Sequence, residues 1–220
     1  MVIAASKRAP KKRTASRALR KQQLIKATIK TVAKKGFADT TLADVAKEAG
    51  LSQGIINLHF QSKDRLFSET LRSLSDEYGQ AWERALKKAS ADPIEKLRAM
   101  VNLDFSAPVC ERNKLAVWFA FWGEAKSRPT YLKVCKDHDA QYTSVLEHIA
   151  GEIIREGGYE ASEGDVAETL SAMTDGFWLS LLLTPRSLTR ESAKALCFNY
   201  LANVFPPHFA AEDPVASLAE

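Results

Sequence analysis

Two groups of side chains in this sequence have types and spacings suited to chemistry. The first is Ser52, Gln53 and Asn57 in TLADVAKEAGLSQGIINLHF, residues 41–60. A carboxamide donates and accepts hydrogen bonds at once, which matches the paired donor and acceptor on the major-groove edge of adenine. Gln53 and Asn57 are therefore the candidate base readers. Thr41, His59 and Lys63 fall at expected helix ends, where they suit hydrogen bonds to phosphates that set register. The second group is aromatic: KLAVWFAFWGEAKSRPTYL carries Trp118, Phe119, Phe121 and Trp122, and Phe177-Trp178 follows Asp175. Ring faces beside a carboxylate suit an organic cation, above all a quaternary ammonium, which has no N–H to donate. The candidate contacts are Trp118, Trp122, Trp178 and Asp175, with Tyr142 as a further member. The same rings would equally fill a large hydrophobic core.

Catalysis finds no such support. There is no Ser/His/Asp set, phosphate loop or metal-binding spacing, so no catalytic residue, metal or cofactor is expected. Cys110, Cys135 and Cys197 form no CxxC pair and read as core residues of a reduced compartment. In a helix the neighbours Asp137, His138 and Asp139 point in different directions. The N-terminus has no apolar signal region, and apolar runs such as Leu181–Leu183 are too short to span a bilayer. A cytoplasmic protein with no membrane partner is expected.

Charge is divided sharply along the chain. Twelve Lys and Arg precede Asp39 with no acidic residue among them, leaving 19 basic against 27 acidic residues in the remainder. Phosphate neutralisation with counterion release is the natural use of such a segment, and a solubilising tail is the alternative.

The elements that must position these residues are all helical. Residues 1–16 lack an apolar cluster and read as a mobile basic arm. From Arg17, Leu24, Ala27, Thr28, Thr31 and Val32 share a helical face that stops at Gly36. Thr40 or Thr41 caps a short helix carrying Leu42, Val45, Ala46 and Ala49; Gly50 ends it, and Ser52 caps a third from Gln53 to about His59. A long helix runs from Lys63 to about Ala89. Others begin at Asp92-Pro93, span Asn113–Ala125, and run from Pro129 to Gly157-Gly158. The last two cover about Glu163–Leu183 and Thr189–Phe205. The chain thus divides into a basic arm (1–16), a three-helix helix-turn-helix domain (17–62), a larger helical domain (63–208), to which the family resemblance given below adds ligand binding and dimerisation, and a tail (209–220). In this layout Ala46 lets the two short helices cross closely, and Gly50 supplies a turn that other residues reach only with strain.

The segment TLADVAKEAGLSQGIINLHFQSKDRLF resembles the DNA-binding segment of the TetR family of repressors, with Gly54, Phe60, Lys63 and Leu66 on the family pattern. Leu58 stands where that pattern often has Tyr. The resemblance implies a homodimer on a pseudo-palindromic operator, released when a small molecule binds the C-terminal domain. It also implies DNA contacts at Gly54 and Leu58. The basic segment exceeds the usual arm, and the stretch Lys11–Arg17, with Arg13 and Arg17 among its DNA contacts, is expected to enter the adjacent minor groove. WFAFWGEAKSRPTYLKV and MTDGFWLSLLL resemble segments of the choline-responsive repressors of glycine betaine synthesis within that family. This implies choline, or a related quaternary ammonium, as effector and control of choline uptake and oxidation. The alternatives are a repressor answering another hydrophobic or cationic ligand, a small helical enzyme, and a non-specific architectural DNA binder. Ala172, Gly176 and Ser180 recur every four residues, flattening one helix face for close approach of a partner helix.

Overall fold

A computed structural model describes residues 11–206 together with 208 and 209, and side chains from Arg17 onward. Among the described residues every regular element is a helix: α1 (Lys11–Lys35), α2 (Leu42–Ala49), α3 (Gln53–Phe60), α4 (Lys63–Lys88), α5 (Pro93–Asp104), α6 (Arg112–Ala125), α7 (Pro129–Gly157), α8 (Glu163–Leu183) and α9 (Arg190–Val204). The all-α expectation holds. No helix among them is long and apolar enough to cross a membrane.

The first helix starts at Lys11, not Arg17. Lys, Arg and Ala are strong helix formers, so part of the stretch read as a mobile arm continues the helix. Residues 1–10 and 210–220, and the side chain of Arg13, lie outside the described residues.

The chain divides into two compact units after Thr70, inside α4. The expected boundary lay at Ser62-Lys63. The first two turns of α4 belong with the first unit for a physical reason. Phe67 packs edge-on against Phe37 (ring centroids 4.9 Å apart), and Glu69 pairs with Lys21 of α1 at 2.7 Å.

In the first unit, α2 starts with a reciprocal cap. Thr41 Oγ1 accepts from the Asp44 amide at 3.1 Å, and Asp44 Oδ2 accepts from the Thr41 amide at 3.0 Å. Asp44 also meets Lys35 at 2.6 Å, and these partners hold its carboxyl far below the usual range. Gly50 adopts the left-handed conformation (φ 63°) that closes α2, and Leu51 N–H donates to Ala46 O at 2.9 Å. Ile56 and Phe60 bury one face of α3 almost completely. Gln23 of α1 secures the α2 end by donating to Ala49 O at 2.7 Å.

In the second unit, one apolar core joins residues of α4–α9, among them Met100, Leu146, Leu170, Cys197 and Phe205. Asp92 caps α5 with Pro93 in its first turn, and Ser162 caps α8. Phe121, fully buried, packs edge-on against Tyr131 at 5.1 Å. It therefore serves the core, unlike its neighbours on α6.

Candidate DNA-contact surface and effector cavity

On α3 the residues expected to read DNA stand clear of the core. Ser52, Gln53, Gly54 and Asn57 are exposed, and Leu58 is 69% exposed. An apolar side chain left so far in water on an otherwise polar face is a candidate partner for a thymine methyl group. Ser52 occupies the N-cap position, but its hydroxyl makes no capping bond. The expected cap is thus formed by the backbone alone, with Ile55 N–H donating to Ser52 O at 3.0 Å, and the hydroxyl stays free to face a ligand. Thr41 is the reverse case: its hydroxyl is committed to Asp44 within the cap, donating to Oδ2 at 2.7 Å. A Cβ placed on Gly54 would meet only Ser52 Oγ, at 3.8 Å. Nothing in the unit's own packing demands this glycine, and its surface is open to close approach.

A second cluster flanks this face. Arg17, Lys21, His59 and Arg65 line a cavity of about 370 Å³ with Glu69. His59 is held below its ordinary pKa, chiefly by burial and then by the charges of Arg17 and Lys21. Arg17 and His59 were expected; Lys21 and Arg65 were missed. Lys21 sits in the basic run, but its place beside His59 comes from α1 passing α3, which no local pattern reveals. Lys63 lies 5.2 Å over the Phe67 ring.

The five residues expected to hold an effector come together. Trp118 and Trp122 of α6, Tyr142 of α7, and Asp175 and Trp178 of α8 line one cavity, joined by Tyr78 of α4, His138 and Asp139 of α7, and Ser171 and Thr174 of α8. The two α6 indoles sit 6.3 Å apart and tilted by 55°, not stacked. Phe119 meets Trp122 edge-on at 5.1 Å. The rings close tightly: His138 lies 5.2–5.3 Å from Trp82, Trp118 and Tyr78, and Tyr78 lies 5.8 Å from Tyr142. Free space is about 20 Å³, near the minimum for one water molecule.

The electrostatics of this cavity have one sign. Asp139 and Asp175 face it, and among the described residues no lysine or arginine lines it. Burial pushes the Asp175 carboxyl up to about 7, helped by the negative charges of Asp139 and Asp104, and burial also raises Asp139. His138 is pushed down to about 4 by burial, so it is uncharged at neutral pH; Ser75 Oγ sits 3.0 Å from its Nδ1. The indole N–H of Trp122 is buried without a hydrogen-bond partner. A larger groove of about 630 Å³ on α4–α6 mixes both signs: Arg84, Lys88, Arg98 and Lys114 line it together with Glu77 and Glu95, and Lys114 pairs with Glu77 at 2.6 Å.

Tyr78, His138 and Asp139 were missed. His138 and Tyr142 are four residues apart on α7, a spacing that places them on one face. Dismissing the Asp-His-Asp run for lack of metal geometry hid that signal.

Comparison with known proteins agrees with both parts of this architecture. Residues 24–70 match the family described as bacterial regulatory proteins, tetR family, and residues 93–206 match the BetI-type transcriptional repressor C-terminal family. The HTH-type transcriptional regulator BetI 1 of Chromohalobacter salexigens is 31% identical over 184 residues, 83% of this chain and 89% of that protein. BetI of Paraburkholderia xenovorans is 32% identical over 186 residues, 84% and 93% of the two chains. A protein assigned as a transcriptional regulator from Pseudomonas aeruginosa PAO1 has the same fold, with a TM-score of 0.78, 27% identity and coverage of 87% of this chain and 93% of its own. A Saccharomonospora viridis protein solved in complex with choline shares the fold at a TM-score of 0.76, with 21% identity over 84% of this chain and 96% of its own. These families and relatives are transcriptional regulators, not enzymes. The chain belongs to the TetR family and carries a BetI-type C-terminal domain: it is a DNA-binding transcriptional repressor.

Proposed function

We propose that this repressor controls genes of choline uptake and glycine betaine synthesis, and that choline or a related quaternary ammonium releases it from a pseudo-palindromic operator. The observation that carries the reading is the cavity of tryptophan and tyrosine rings with Asp139 and Asp175 and no basic side chain among its described lining. A trimethylammonium group is held by ring faces at about 0.5–2 kcal/mol per contact, more strongly when desolvated, and the carboxylates supply the counter-charge. The unpartnered Trp122 N–H is placed to donate to a hydroxyl or carbonyl oxygen at the ligand's other end. The names of the BetI relatives, and the choline held by a protein of the same fold, agree with this effector.

Release follows from the cavity's size. With about 20 Å³ free, a cation of choline's size enters only if the lining side chains move apart. Tyr78 of α4 belongs to that lining, and the same helix carries Phe67 of the DNA-binding unit. A shift of α4 is thus the shared element by which the effector biases operator affinity.

The protein acts as a cytoplasmic homodimer through α8 and α9. Ala172, Gly176, Leu179 and Leu183 are exposed along one side of α8, Leu183 at 68%, and Leu196 of α9 is 44% exposed. A Cβ on Gly176 meets nothing within the chain, which leaves room for a second helix to approach. Gln53 and Asn57 read bases, and Ser52, His59, Lys63, Arg17 and the basic segment including Arg13 contact phosphates or the minor groove.

The test is fluorescence anisotropy on the DNA upstream of the gene, titrated with choline. Specific binding that choline reverses supports the reading. Binding reversed by an apolar drug or a polyamine, with choline inert, would move the effector to another class. Binding without sequence preference would reject operator control.

A further inference from the structure

Asp104 closes α5 and is absent from the cavity lining, yet three of the lining rings are fastened to it. Tyr78 donates its O–H to Oδ1 at 2.5 Å, Tyr142 donates to Oδ2, and the Trp178 Nε1–H donates to the Asp104 carbonyl at 2.9 Å. Cys110 Sγ donates to the same carbonyl at 3.1 Å. Asp104 is 1% exposed, and among the described residues no cation pairs with it. An aspartate so deep among aromatic rings is expensive to keep unless it is hydrogen-bonded and its charge is used. Holding rings in place needs only a neutral acceptor.

The geometry points to Asp104 as the buried counter-charge of the cation cavity, a positioning residue that acts through Tyr78 and Tyr142 and makes the site prefer a cation over an uncharged molecule of the same shape. This inference rests on the reading of the cavity as a cation site. Both phenolic hydroxyls are turned to Asp104, so what Tyr142 and Tyr78 offer a ligand is ring face, not a hydrogen bond. A phenol donating to a carboxylate becomes richer in electrons, which strengthens its attraction for a cation over the ring. The low dielectric of the core extends the carboxylate's own field into the cavity.

Titration supports the same role. Burial pushes Asp104 up to about 7, against the pull of the two tyrosine hydroxyls. The ionisable groups facing it or the adjoining cavity are Tyr78 from α4, Cys110 after α5, His138, Asp139 and Tyr142 from α7, and Asp175 from α8. From α9 come Cys197, whose thiol burial pushes up to about 12, and Arg190, whose guanidinium donates to Phe105 O at 3.4 Å. Tyr78, Tyr142 and Cys110 are all raised, and His138 is lowered, so these four stay uncharged at neutral pH. The carboxyls are left to respond. A cation in the cavity favours their ionised forms, so its affinity rises, with proton release, as pH increases through 7.

The experiment is calorimetry on the full chain with choline and with its neutral analogue, in which carbon replaces the ammonium nitrogen. The wild type should bind choline more tightly than the analogue. Asp104→Asn should weaken choline about tenfold while leaving the analogue nearly unchanged, and should flatten the rise in choline affinity with pH. Tyr142→Phe keeps the ring but removes the link, and it carries the same test where Asp104→Asn disturbs folding. It should lose choline affinity selectively and by less. Equal loss of both ligands in these variants, or unchanged preference for choline, would overturn the role of Asp104. A wild type that does not prefer choline to the analogue would instead overturn the cation-site reading beneath it.

Discussion

The exposed face of α3 and the cavity of the second unit handle polar groups in opposite ways. On α3, Ser52, Gln53 and Asn57 stand in water, and even the N-cap hydroxyl is left out of the helix's own hydrogen bonds. In the cavity, several polar groups are tied to residues behind the lining: Tyr78 and Tyr142 to Asp104, and His138 to Ser75. A surface that reads DNA can leave its donors and acceptors to solvent until the partner arrives. A desolvated pocket cannot, because unpaired groups there cost stability. What such a pocket has to offer a ligand is ring faces and a few charges.

This contrast predicts separable functions, and the largest effect should come from the readers. Replacing Gln53 and Asn57 by Ala removes two bidentate contacts at about 1–3 kcal/mol each, a loss on the order of a hundredfold or more in operator affinity. Choline binding, measured by calorimetry, should not change. If it did, the two regions would not be independent in the way their chemistry suggests.

A smaller effect is expected from pH in the second unit. The folded-state values of Asp104 and Asp175 lie near 7, above the ordinary value of 3.8. On their account the folded protein holds more protons than the unfolded chain between these limits; His138, pushed down to about 4, works the other way below about 6.5, one group against two. The associated stability is complete below about pH 4 and is lost as pH rises through 7. The unfolding temperature of the second unit should accordingly fall by a few degrees between pH 5.5 and 8, by scanning calorimetry, and choline should offset the fall. Asp175→Asn should reduce the slope; a slope unaffected by that change would contradict the assignment.

The smallest predicted effect separates two caps that look alike in sequence. Thr41→Ala breaks a reciprocal cap and should cost about 1 kcal/mol of stability. Ser52→Ala removes a hydroxyl that caps nothing and should cost less than about 0.5 kcal/mol, yet it should weaken operator binding. Denaturant melts and anisotropy on the same variants give both numbers.

Much of this was legible along the chain. Ala46, Gly50 and Ile56 mark the helix-turn-helix because their constraints are local: a close crossing, a left-handed turn and a buried helix face. The aromatic residues announced themselves by type, and Asp175 by its place one turn before Trp178. The role of Ser52 was misjudged, since a good capping residue in a capping position need not make the bond. Asp104 left no trace. It reads as a polar residue at the end of an amphipathic helix, and only the packing of α4, α7 and α8 around it brings Tyr78, Tyr142 and Trp178 within hydrogen-bond reach.

Residue order alone determined the helices, the basic N-terminal segment and the helix-turn-helix, because helical period, caps and turns act within a few residues. Which of the many aromatic residues face the cavity and which fill the core was decided by tertiary structure. Phe121 and Trp122 are adjacent on α6, yet one packs against Tyr131 in the core and the other lines the cavity with an unpartnered N–H. The direction a side chain takes is set by its own helix, but what it meets there depends on helices far away in sequence.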